Sequence, residues 1–214
     1  MNIIENFLNI KKEIEALNYK TNLIVVSKNQ SLENIIPLIE TGHCDFGENR
    51  IQEAVNKWTD IISNNKDINL HLLGKLQSNK AKEAYKIFNY IHSLDNEKLA
   101  KIFSDLEFKH NKKLKYFIQV NIGNENQKNG IDKKLVTNFL NYCKIELKLN
   151  IIGLMCIPPM HENAKKFFLE LKKMSVINNL SELSMGMSED FKEAINCGAT
   201  YVRIGSSIFG KRSN

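Results

Sequence analysis

Short apolar runs alternate with amphipathic stretches from one end of the chain to the other. The runs predict strands at 23–27 (LIVVS), 43–47 (HCDFG), 69–74 (NLHLLG), 89–94 (NYIHSL), 115–121 (KYFIQVN), 151–157 (IIGLMCI), 181–185 (SELSM) and 200–204 (TYVRI). Helical periodicity fills the gaps, near 31–42, 50–64, 78–87, 96–109, 132–147, 161–176 and 188–197. Eight strands with helices between them predict an α/β fold, a single-domain (β/α)8 TIM barrel over 1–214, in preference to an open sheet. An extra N-terminal helix near 2–18 is expected to precede the first strand and cover the barrel bottom. Pro37 falls inside the helical stretch 31–42 and is expected to kink it or delay its start.

In such a barrel the C-terminal strand ends carry the site, and phosphate docks on the loops after strands seven and eight. That rule places Lys28, the "GEN" of 47–49, the "SMGMS" of 184–188 and the "RIGSS" of 203–207 on one rim. Lys28 follows Leu23, Ile24, Val25, Val26 and Ser27, a run suited to a buried parallel strand. For one lysine among 27, an outward, solvated side chain is the plain alternative. Arg203 sits in an apolar strand after Tyr201 and Val202, where a charge needs either a buried salt bridge or a bound ligand.

Gly186 allows close backbone approach, and Ser188 suits the N-cap of a helix that Gly198 terminates. Gly205, Ser206 and Ser207 open a final short helix, whose N–H groups and hydroxyls suit a phosphate. Ordinary capping uses the same residue types. Together, the lysine, the phosphate cup and an arginine aimed at the same mouth describe a pyridoxal phosphate site. Burial would make the lysine amine nucleophilic enough for a Schiff base, and Arg203 would hydrogen-bond the pyridine nitrogen.

The net charge of +6 comes from 27 Lys against three Arg (Arg50, Arg203, Arg212). The lysines are spread among acidic neighbours with no aromatic–basic pattern, which predicts a solvated surface and no nucleic-acid partner. Cys44, Cys143, Cys156 and Cys197 form no CxxC pair, and the five histidines show no HxH or HExxH spacing. Neither a disulfide framework nor a metal site is expected, and a reducing cytoplasm is. No apolar run approaches a membrane span, and "MNIIENFLNIKKEIEALNYK" interleaves charges unlike a signal peptide.

The sequence resembles the pyridoxal phosphate homeostasis proteins. The matching segments are "VVSK" (25–28), "DFGENRIQE" (45–53), "HLLGKLQSNK" (71–80), "IQVNIGNENQKNGI" (118–131), "GLMCIPP" (153–159), "LSMGMSEDFKEAI" (183–195) and "VRIGSSIFGKR" (202–212). The resemblance implies the barrel of the alanine racemase N-terminal domain and covers nearly the whole chain. It matches Lys28 to the lysine that carries pyridoxal 5'-phosphate covalently as an aldimine, and Asn49 to a residue lining the pyridine ring. Ser184, Gly205 and Ser206 match phosphate ligands, and Arg203 matches the partner of the pyridine nitrogen. His71, Gln77, Asn79 and Lys80 belong to a motif whose plain reading is packing around strand three. Lys128 is the other lysine expected to reach the mouth, with a solvated loop as its default. Asn29 and Ser206 stand where the family often has Thr, changes expected to matter little. A shorter segment after "IPP" is expected to trim a rim loop and open the mouth.

Two functional classes follow. One is a carrier that buffers the cofactor for vitamin B6 homeostasis, hands it to apo-enzymes and has no robust catalysis of its own. The other is a racemase-like enzyme, which needs a base on each face of the substrate. In alanine racemase the second base is a tyrosine near a second domain that closes the site in a dimer. None of the six tyrosines here falls in a segment opposite Lys28, and the chain stops four residues after Gly210. The second domain is therefore expected to be absent and the protein a monomer. An arginine at the pyridine nitrogen also weakens the ring as an electron sink. These points favour the carrier. A phosphate-sugar barrel enzyme would need a carboxylate acid–base pair at the rim, for which Glu48 is the only obvious candidate.

Overall fold

In the computed structural model, which describes residues 2–125 and 129–210, eight parallel strands close into a barrel in chain order, the last pairing with the first. The strands are β1 (Asn22–Val26), β2 (Asp45–Glu48), β3 (Asn69–Leu72), β4 (Tyr90–Leu94), β5 (Lys115–Gln119), β6 (Ile151–Met155), β7 (Glu182–Ser184) and β8 (Tyr201–Ile204). Each lies within an expected run or within one residue of it. The helices are α1 (Ile3–Asn18), α2 (Leu32–Glu40), α3 (Ile51–Asn64), α4 (Ala81–Ile87), α5 (Glu97–His110), α6 (Val136–Asn141), α7 (Ala164–Ile177), α8 (Phe191–Asn196) and α9 (Ser206–Phe209). The stretch expected as one helix over 132–147 is instead a 3₁₀ turn, α6 and a π turn in succession.

The strand alternation sorts side chains into two layers. Leu70 and Leu72 of β3 and Ile91 of β4 join the continuous core shared with the helices. Tyr90, Phe117 and Met155 form a separate small cluster, with Ile152 and Tyr201 packed against it. The second layer faces the barrel axis, where it meets polar residues described below.

α1 does not cover the barrel bottom. It buries Phe7, Ile10 and Ile14, a stripe at helical spacing, and packs against α2, α8 and α9. The Asn6 amide also donates to the Ile208 carbonyl at 3.0 Å. Since α9 has only four residues, α1 fills the place in the ring that a full eighth helix would take.

Pro37 does not delay α2, which begins at Leu32. The proline removes a single donor, and the carbonyl left without it belongs to solvent-exposed Glu33. Beyond it the Thr41 N–H still reaches the Pro37 carbonyl at 3.3 Å.

Candidate functional site

A cavity of about 440 Å³ opens at the C-terminal ends of the strands, and its walls include Lys28, Asn49, Ser188, Asp190, Arg203, Gly205 and Ser206. Five of the six residues singled out in the sequence therefore converge on one space. Ser184 is the sixth, and it does not line that space.

Lys28 follows β1 on a turn fastened from both sides. The Ser27 hydroxyl donates to Glu48 Oε1 at 2.8 Å, and Lys57 Nζ donates to the Ser27 carbonyl at 2.8 Å. On the other side the Asn29 N–H donates to Glu53 Oε1. Asn29 itself takes a left-handed backbone, φ 59°. Asparagine tolerates that region better than a β-branched residue such as Thr.

Glu48 is not a rim carboxylate. It is fully buried behind the strands, where Oε1 also accepts from Lys57 Nζ at 2.9 Å and Trp58 Nε1 at 3.0 Å. Its role is to tie α3 to the ends of β1 and β2. Glu53 joins the same cluster through Lys57 Nζ at 2.9 Å. Partial burial acts to raise the Glu53 pKa, but the bonds from Lys57 and the Asn29 N–H outweigh it and hold the carboxyl below its ordinary value.

Arg203 is 5% exposed. No ion pair among the described residues includes it; its guanidinium meets two neutral acceptors instead. Nη1 donates to Ser184 Oγ at 2.7 Å and Nη2 to the Cys156 carbonyl at 3.0 Å. Those bonds fix the plane of the guanidinium at the cavity wall. Ser184 is thus a support for Arg203, fully buried beneath it, and the phosphate-ligand assignment drawn from the resemblance does not fit its position. Its side chain points along the barrel axis because the alternation of β7 puts Leu183 toward the helices.

Ser188 takes the place at the cavity that Ser184 lacks. It is not the N-cap of α8; that position is Asp190, two residues on. The Ser188 hydroxyl accepts the Ser207 N–H at 3.3 Å, joining the loops after β7 and β8. Gly186 makes this loop possible, with φ 92° and an absent Cβ that would lie 2.5 Å from Ala194 Cβ. Asp190 accepts the Met187 N–H at 2.6 Å, and burial raises its pKa. On the far wall, Asn49 lies against Gly74, where a Cβ would come within 2.2 Å of the Asn49 carbonyl oxygen.

The motif from His71 to Lys80 splits. His71 is fully buried in the barrel, whereas Gln77 and Asn79 are exposed and Lys80 pairs with Glu83 at 2.8 Å. None of the four lines the cavity. Lys128 lies outside the described residues.

The donor set suits pyridoxal 5'-phosphate. A primary amine, a guanidinium, two hydroxyls and an amide around one concave space match an aldehyde, a ring nitrogen and a phosphate. The cavity volume is also within the ordinary range for a small-molecule site.

Residues 2–213 match the family model described as alanine racemase, N-terminal domain. The pyridoxal phosphate homeostasis protein of Synechocystis is 36% identical over 208 residues, covering 93% of this chain and 95% of that protein. Its counterpart in Haemophilus influenzae is 32% identical over 230 residues, covering 100% and 97%. Among solved structures, PipY of Synechococcus elongatus with PLP bound superposes with a TM-score of 0.84 at 32% identity, over 94% of this chain and all of that one. Alanine racemase from Bartonella henselae shares the fold, with a TM-score of 0.78 at 17% identity, over 99% of this chain and 60% of the racemase.

Proposed function

The chain belongs to the pyridoxal phosphate homeostasis proteins, within the alanine racemase N-terminal domain family, and from that premise we propose that it binds, buffers and delivers pyridoxal 5'-phosphate. The observation that carries this reading is the convergence of Lys28, Asn49, Arg203, Gly205 and Ser206 on one cavity. Chain 1–214 acts as one cofactor-binding domain, a cytoplasmic monomer with apo-enzymes as recipients. No helix among the described residues is long and apolar enough to cross a membrane.

In this reading Lys28 holds the cofactor covalently as a Schiff base. Ser206, Ser188 and the backbone at Gly205 hold the phosphate, Asn49 flanks the ring, and Arg203 donates to the ring nitrogen. When bound, the cofactor supplies an electrophilic aldehyde that a primary amine can capture. Arg203, braced by Ser184 and the Cys156 carbonyl, donates to the ring nitrogen and gives it no proton. The ring is then a poor sink for electrons, which suits storage over amino-acid chemistry.

The test is the absorption spectrum of the purified protein incubated with pyridoxal 5'-phosphate, followed by borohydride reduction and peptide mapping. A reducible chromophore whose label maps to Lys28 is expected. A label on Lys80 or Lys128 with none on Lys28, or no chromophore at all, overturns the reading.

A further inference from the structure

The barrel interior holds a file of polar side chains that reaches from the cavity to the opposite face. Arg203 Nη1 donates to Ser184 Oγ at 2.7 Å, and Ser184 Oγ lies 2.8 Å from His92 Nδ1. His92 Nε2 is 3.0 Å from His71 Nδ1, and His71 Nε2 is 3.0 Å from Asp45 Oδ1. The three middle members are fully buried, while the Asp45 side chain is 27% exposed. Asp45 opens β2 at the N-terminal end of the barrel, and Arg203 lies near the C-terminal end of β8.

We propose that Ser184, His92, His71 and Asp45 form a one-way hydrogen-bonded relay along the barrel axis, through which Asp45 positions Arg203 from the opposite face. The direction is forced at both ends. A guanidinium only donates and a carboxylate only accepts. Asp45 therefore accepts a hydrogen bond from His71 Nε2–H, which leaves His71 Nδ1 as an acceptor in a neutral ring. His92 must supply that bond from Nε2–H, which makes its own Nδ1 an acceptor. The Ser184 hydroxyl fills that site and has its oxygen left for Arg203.

The surroundings keep both rings neutral. His71 stacks on Tyr90 with centroids 4.2 Å apart, and His92 stacks on Phe117 at 4.3 Å. Tyr201 packs near both rings. Of the charged groups facing them, Lys115 and Arg203 oppose a second positive charge, and only Asp45 favours one. Burial in this interior lowers both histidine pKa values from 6.5. Turning any one link around would set two donors or two acceptors against each other at about 3 Å.

The relay rests on the proposed function only where cofactor is the readout, so its first test uses the unloaded protein. Nitrogen-15 NMR should find His71 and His92 both as Nε2–H tautomers at pH 7. Asp45→Asn keeps the shape but replaces a pure acceptor with a group that both donates and accepts. A second tautomer should then populate at both rings, a change that a merely packing role would not produce. An Nδ1–H ring in the unsubstituted protein, or unchanged tautomers in D45N, overturns the proposal. In loaded protein, D45N should weaken pyridoxal 5'-phosphate retention roughly two- to tenfold. It should add no further loss in Ser184→Ala, which cuts the relay. Fully additive losses overturn the coupling. A protein that takes up no pyridoxal 5'-phosphate ends the cofactor reading while the tautomers still judge the relay.

Discussion

Lys57 donates from Nζ to the Ser27 carbonyl at 2.8 Å, pinning the residue that immediately precedes Lys28. The same ammonium lies 2.9 Å from Glu48 Oε1, with the two side chains 9% and 0% exposed. Removing one partner of a buried ion pair leaves the other charge uncompensated, at a cost of about 3–5 kcal/mol. Lys57→Met should therefore lower the unfolding free energy by that amount in a denaturant titration. A loss under about 1 kcal/mol would mean that Ser27 and Trp58 alone satisfy Glu48.

Asn29 gives a second handle on the same turn. Its φ of 59° is left-handed, and a β-branched side chain is strained there. Asn29→Thr should cost about 1 kcal/mol, a fall in melting temperature of about 2–4 °C for a chain of this size. Asn29→Gly should change stability by no more than a few tenths of that. Equal melting temperatures for Thr and Asn would show that the turn relaxes freely.

Much of the barrel was legible because apolar runs and amphipathic stretches alternate without interruption. Lys28 and Arg203 stood out for a simple reason, since each places a charge on an apolar strand or directly after one. The relay was harder to see. His71 and His92 are 21 residues apart, and only closure of the barrel brings their rings to 3.0 Å. Their one local signal is a polar residue on the inward register of an otherwise apolar strand, as in "NLHL" and "YIHSL". Ser184 and Ser188 were interchangeable as letters of "SMGMS". Only the turn at Gly186 decides that one faces the barrel axis and the other the cavity.

That distinction predicts different effects for the two serines. Ser188→Ala and Ser206→Ala each remove a hydroxyl from the cavity wall, and each should weaken retention of the phosphorylated cofactor by about 1.5–3 kcal/mol. Neither should alter pyridoxal binding, because pyridoxal lacks the phosphate. Equilibrium dialysis with the two vitamers checks this. Equal losses for both vitamers would place the phosphate elsewhere.

Stability should depend on pH through the buried His71 and His92 and the half-buried His43. Burial lowers the pKa of His43, His71 and His92 from 6.5. The unfolded chain then binds more protons than the native one below that pH, so stability falls as pH falls. The loss starts near 6.5 and continues until each native histidine titrates, at up to about 1.4 kcal/mol per pH unit for each ring. Denaturant unfolding between pH 7.5 and 5 should show the decline above the carboxylate range. A flat profile over that interval would mean that the rings titrate in the native barrel as they do in the unfolded chain.

The last prediction separates carrier from enzyme. Exchange of an amino acid's α-hydrogen needs a base at the reacting carbon, and racemisation needs one on each face. No tyrosine or histidine is among the described residues that line the cavity. Of the two carboxylates at the cavity, Glu189 is exposed to solvent, and Asp190, whose pKa burial raises, is already engaged as acceptor of the Met187 N–H at 2.6 Å. In the proposed binding mode Arg203, held by Ser184 and the Cys156 carbonyl, would also deny the ring the proton that makes it a strong electron sink. Loss of one positioned base alone forfeits a factor of about 10²–10⁴. Protein loaded with pyridoxal 5'-phosphate and given mixed L- and D-amino acids in deuterated water should therefore exchange no faster than free cofactor, as read by proton NMR. Multiple-turnover exchange that disappears in Lys28→Ala or Asp190→Asn would identify an enzyme and end the carrier reading.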